Sequence, residues 1–228
     1  MKIIDGVFSR RAIKKMYPVI LMPVIIHLVT CFLISINYFY FMRLFLSMNP
    51  EQKITDEFFE VQKKLISDLK HLPDRSIKWE EKSKFHITLF FLGDVDKPKV
   101  DSLLNKLDDL SSVPEYGEMF FNSTGLECFP NANKPRVIFA EINNEDKKAY
   151  GLYEKLIPVL DSEGFKPDKK LHLHITLGRV KTFERIEIRT QIEKMNFNIC
   201  ISVKSFSLMQ SVLDSRGSVY REIRKFGI

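Results

Sequence analysis

The sequence predicts an α+β fold in which a duplicated lobe closes over a shared cleft. Helix-like and strand-like segments alternate irregularly, which is not the order of a doubly wound parallel sheet. The tetrapeptide His-Ile-Thr-Leu occurs twice, starting at His86 and at His174, 88 residues apart. Each copy sits in a strand-like run that follows a helical segment.

In chain order, residues 42–47 (MRLFLS) read as an opening strand. Asn49, Pro50 and Glu51 then supply an N-cap, a first-turn proline and an acid. Ile54, Phe58, Val61, Leu65 and Leu69 recur at spacings of four, three, four and four, an amphipathic helix that stops near Pro73. Residues 84–92 (KFHITLFFL) form a strand closed by Gly93-Asp94, and Val100, Leu103, Leu104, Leu107 and Leu110 mark the buried face of a second helix. Strands follow at about residues 118–129 and 136–142, joined by the turn-rich segment 130–135. A third helix over about 145–163 turns Ala149, Leu152, Tyr153, Leu156 and Leu160 inward, carries Pro158 inside it and stops at Gly164. Residues 170–180, 196–211 and 218–225 complete the pattern as strands.

Composition narrows the class. The 228 residues are 45% apolar and 28% charged, ordinary for a folded protein, so disordered and fibrous classes are excluded. Cys31, Cys128 and Cys200 form no C-x-x-C pair; this excludes a disulfide scaffold and a thiolate zinc site and fits a reducing compartment. The formal charge is +6, but residues 1–41 hold five bases against one acid. Residues 42–228 keep a net of only +2, too little to predict a broad nucleic-acid-binding face.

The chemistry lies in the repeated tetrapeptide. Side chains alternate faces along a strand, so His86 and Thr88 share one face, and His174 and Thr176 share another, each backed by apolar neighbours. Two imidazoles on opposite sides of one substrate atom suit in-line phosphodiester cleavage: one takes a proton from water, the other gives one to the departing oxygen. An ordinary imidazole pKa near 6.5 lets both forms exist near neutral pH. The threonine hydroxyls suit nonbridging phosphate oxygens, and an arginine suits the developing charge. His172 and His174 form an i, i+2 pair, but with no carboxylate nearby they make no metal site, so neither metal nor cofactor is expected.

These paired motifs, with MRLFLS, the run HITLFFLGD at 86–94, PRVIFAEI at 135–142 and LHLHITLGRVK at 171–181, resemble the 2H phosphoesterase superfamily, within it the RNA 2',3'-cyclic phosphodiesterases, also called 2'-5' RNA ligases. The resemblance covers about residues 42–226, including Ser211 and the stretch 217–220. It implies a bilobal α+β fold with two antiparallel sheets facing across a central cleft and helices outside. It also implies metal-free hydrolysis of a 2',3'-cyclic phosphate on RNA or small nucleotides to a 2'-phosphate. Position by position, His86 matches the proton donor to the 3' oxygen and His174 the residue that activates water. Thr88 and Thr176 match the phosphate-binding hydroxyls, Arg179 the basic residue on the phosphate, and Phe91 the aromatic near the nucleobase. Strand parity opposes the last assignment, because Phe91 and His86 fall on opposite faces, and unless the strand bends core packing is the expected role. Phe139 stands where the family often has tryptophan. A non-catalytic binding module for nucleotides or RNA ends is the alternative, and a monomer is the default.

Residues 1–41 are foreign to that pattern. From Tyr17 to Phe41 runs an uncharged apolar segment long enough to cross a bilayer, preceded by basic residues. A membrane anchor, a signal peptide without an obvious cleavage site, and a true translation start at Met42 stay open as readings. The expected organisation is therefore a hydrophobic extension at 1–41 and a phosphoesterase domain at 42–228, cytoplasmic or tethered to a membrane through residues 17–41.

Overall fold

A computed structural model describes residues 41–167, 170–181, 186–215 and 217–228. The segment 1–40 lies outside the described residues, and with it the anchor, signal and start-site readings. Among the described residues no helix is long and apolar enough to cross a membrane.

The elements are β1 (Phe41–Met48), α1 (Gln52–Asp68), β2 (Ile77–Trp79), a 3-10 turn (Lys82–Lys84), β3 (Ile87–Asp96), α2 (Lys97–Ser111), β4 (Met119–Ser123), β5 (Leu126–Phe129) and β6 (Val137–Glu141). There follow α3 (Lys148–Ser162), β7 (His174–Val180), α4 (Arg189–Lys194), β8 (Ile199–Val203), β9 (Ser205–Asp214) and β10 (Gly217–Gly227). The α+β class holds, and the differences from expectation have local causes. Asn49 is not the cap of α1: its side-chain oxygen accepts from the Ser47 hydroxyl at 2.9 Å, and the helix starts after Glu51. Asp96 does cap α2, its carboxylate accepting from the Lys99 amide at 3.3 Å, so β3 runs past Gly93-Asp94 to meet the helix. The strands expected at 118–129 and 196–211 are each two strands. Their first halves, β4 and β8, pair with one another in a separate two-stranded sheet.

The main sheet has the order β10-β9-β1-β3-β7-β6-β5, with β2 also on β7. Its two halves, β10-β9-β1-β3 and β7-β6-β5 with β2, are the duplicated lobes. They join through a single antiparallel residue pair, Ile87 with Ile175, both fully buried. The helices tie the halves together. Buried Gln62 of α1 reaches β7 of the second half, and Tyr153 of α3 packs its ring 6.2 Å from Phe90 of β3 in the first. One continuous apolar core runs from Leu44 and Leu46 through Ile87 and Ile175 to Leu156 and Leu160. Truncating such a side chain to alanine costs about 2–5 kcal/mol, so the junction under the two motifs contributes directly to stability.

Candidate active site

The two His-x-Thr copies enter the cleft from adjacent antiparallel strands. One residue to either side of the Ile87–Ile175 pair, that order sets His86 toward Thr176 and Thr88 toward His174. Each strand thus brings its imidazole beside the other strand's hydroxyl.

The imidazoles are held in the same way. Nδ1 of His86 lies 2.7 Å from the Lys84 carbonyl oxygen, and Nδ1 of His174 lies 2.7 Å from the His172 carbonyl oxygen. A carbonyl only accepts, so each Nδ1 carries the proton and donates it. Each Nε2 is left as the working nitrogen, a base when neutral and an acid when protonated. Aromatic rings fix the planes. Phe45 and Tyr220 lie 5.0 and 5.3 Å from His86, and Phe129 and Phe139 lie 5.3 and 5.1 Å from His174.

Arg179 joins the site through a break in strand alternation. Leu177 and Gly178 are both buried, and the β6–β7 register shifts between Ile138 and Phe139, so Arg179 is exposed three residues after Thr176. β3 has the same break. Leu89 and Phe90 are both buried, and Phe91 is 66% exposed, its ring 6.2 Å from Phe45. The expectation that parity sends Phe91 into the core is therefore corrected: the slip of one residue returns it to the face where Phe45 also meets His86.

Residues without a recognised motif complete the surroundings. Glu80 accepts from Arg179 Nε at 3.0 Å and is itself nearly buried. The Gln62 amide donates at 2.8 Å to the carbonyls of both Glu80 and Leu177, and the Glu80 amide donates to Leu177 at 2.9 Å. Tyr220 stands edge-on to His86. Glu80 and Gln62 gave no sequence signal, because neither belongs to a periodic pattern or repeat. Tyr220 lay in the stretch 217–220 that carried the resemblance, without an assigned role.

The electrostatics of the two imidazoles share a direction and differ in their neighbours. Burial lowers both below the ordinary value, and the carbonyl each donates to pulls it partly back. His86 is then pushed down by His174 and Arg179 and drawn up by Glu80. His174 is instead pushed down further by His172 and Arg179. Burial, with Glu80, raises the Tyr220 phenol, which therefore stays protonated as a donor. Among the described residues no group of three or more His, Cys, Asp or Glu has the arrangement of a metal site.

The family model for LigT like Phosphoesterase matches residues 52–139 and 142–220, the greater part of the chain and both His-x-Thr strands. The chain belongs to this phosphoesterase family. An RNA 2',3'-cyclic phosphodiesterase of Archaeoglobus fulgidus is 30% identical over 190 residues, 81% of this chain and 99% of that protein. One of Methanocaldococcus jannaschii is 30% identical over 189 residues, 81% of this chain and all of that protein. Among solved structures, a Thermus thermophilus protein superposes with a TM-score of 0.68 at 26% identity, covering 82% of this chain and 97% of the other. Escherichia coli LigT complexed with 3'-AMP gives 0.61 at 19% identity, covering 82% and 98%, which shows a shared LigT fold.

Proposed function

We propose that this LigT-like phosphoesterase hydrolyses the 2',3'-cyclic phosphate of RNA ends or small nucleotides to a 2'-phosphate, with its two histidines as general base and general acid. The observation that carries the reading is the matched tethering of His86 and His174, each donating Nδ1–H to a carbonyl at 2.7 Å and leaving Nε2 free. The RNA 2',3'-cyclic phosphodiesterases among the relatives of this chain agree with it.

In the proposed step Nε2 of neutral His174 takes a proton from water, and the water oxygen bonds to phosphorus. The P–O3' bond breaks in line, and Nε2 of protonated His86 gives its proton to O3'. Solvent then resets both rings. Burial lowers both rings; against it Glu80 draws the His86 pKa up, while His172 and Arg179 press that of His174 further down. Thr88 and Thr176 donate to the nonbridging oxygens, and Arg179, aligned by Glu80, neutralises the added charge. Phe91 offers an exposed ring to the nucleobase.

The test is a short RNA ending in a 2',3'-cyclic phosphate, incubated with EDTA-treated enzyme and read by phosphorus NMR. A 2'-phosphate formed at an undiminished rate is expected. A 3'-phosphate would overturn the assignment of acid and base. Tight binding without product would favour a non-catalytic RNA-end binding module.

A further inference from the structure

Beside the catalytic pair lies a cavity of about 340 Å³ that shares Thr88, Phe91 and His174 with the site and continues away from it. Small-molecule pockets span roughly 300–1,000 Å³, so this one is sized for about one nucleoside. Phe91, Phe129 and Tyr153 give it aromatic walls, and Lys170 and His172 add basic groups to its lining. Among the described residues that line it there is no carboxylate, so the lining is suited to an anion.

The spacing along the chain says which anion. Lys170, His172 and His174 are alternate residues of one segment, and the rings of His172 and His174 lie 5.7 Å apart. In extended chain, alternate residues stand about 6.6 Å apart on one face. That step is comparable with the separation of neighbouring phosphates in an RNA strand. With the cyclic phosphate at His174, the next phosphate toward the 5' end falls at His172 and Lys170.

We infer that Lys170 and His172 bind the phosphate on the 5' side of the terminal nucleoside, so that the preferred substrate is an RNA end rather than a bare nucleoside cyclic phosphate. This rests on the phosphodiesterase reading above. It adds a recognition site for an atom group remote from the chemistry, whose binding energy raises kcat/KM.

The experiment compares kcat/KM for adenosine 2',3'-cyclic phosphate with and without a 5'-phosphate, and for the dinucleotide ApA ending in a cyclic phosphate, in the wild type and in Lys170→Ala/His172→Gln. The 5'-phosphate and the dinucleotide should each be favoured by about tenfold or more, the scale of a charge-assisted contact. In the double variant that preference should fall to within about twofold, a ratio independent of how much of the variant is folded. Equal kcat/KM in the wild type, or a preference that survives the double substitution, would overturn the inference while leaving the phosphodiesterase reading intact. No turnover of any of the three would overturn both.

Discussion

At the scale of single residues, the two histidines are chemically twins made unlike by their neighbours. Both are lowered mainly by burial, so the protonated acid and the neutral base coexist at pH values below the ordinary imidazole value of about 6.5. The kcat/KM profile of the free enzyme is therefore expected to be a bell centred on the acidic side of that value, with His174 on the acidic limb and His86 on the basic limb. Glu80 draws the His86 pKa up, so Glu80→Gln lowers it further and moves the basic limb to lower pH. It also frees Arg179 from its 3.0 Å partner, so activity at the optimum should fall as well. A profile measured in both proteins checks this, and a basic limb that stays in place or moves up would exclude Glu80 from tuning the acid. The histidines and threonines were legible in the sequence because they repeat in matched contexts. Glu80 and Gln62 were not, since a carboxylate and an amide met once carry no pattern until the fold sets them behind Arg179.

At the scale of elements, the site depends on a slip in strand alternation found in each of the two motif strands. Two successive buried residues, Leu89-Phe90 and Leu177-Gly178, return Phe91 and Arg179 to the cleft side. Strict two-residue parity concealed this for Phe91, because sequence reading had no means to see where alternation breaks. In β7 the slip comes with a glycine against which β2 packs. A Cβ added at Gly178 would lie 2.9 Å from the Trp79 ring and 3.0 Å from Ile77. Gly178→Ala should therefore cost about 1–3 kcal/mol and lower Tm by several degrees. Gly125→Ala, where an added Cβ meets nothing within 4 Å, serves as the control and should leave Tm close to that of the wild type. Thermal denaturation of both variants measures the difference, and equal midpoints would show that β2 does not constrain this part of β7. The three long helices were read nearly to their ends because their apolar spacing is strong, whereas α4, six residues with Ile192 as its buried position, is too short to show a period and was not read. The strand pairs β4/β5 and β8/β9 were each read as one, because the change of partner between sheets leaves the β-propensity of the sequence uninterrupted.

At the scale of the whole molecule, two half-sheets joined at Ile87 and Ile175 carry one histidine each to a common cleft. With a net charge of only +2 over residues 42–228, the proposed recognition rests on local groups around one chain end rather than on a wide basic surface. The bilobal plan was legible from the repeat alone; the continuity of the sheet was not, since a single residue pair makes the junction. The central claim is that neither half is competent without the other's imidazole. The most direct measurement is kcat for a 2',3'-cyclic-phosphate RNA end in His86→Ala, His174→Ala and the double variant, with folding checked by circular dichroism. Each single change is predicted to lower kcat by at least about 10²-fold, and the double change to cost little more than either, as for residues acting as a unit. A folded single variant that keeps kcat within about tenfold of the wild type would contradict the claim.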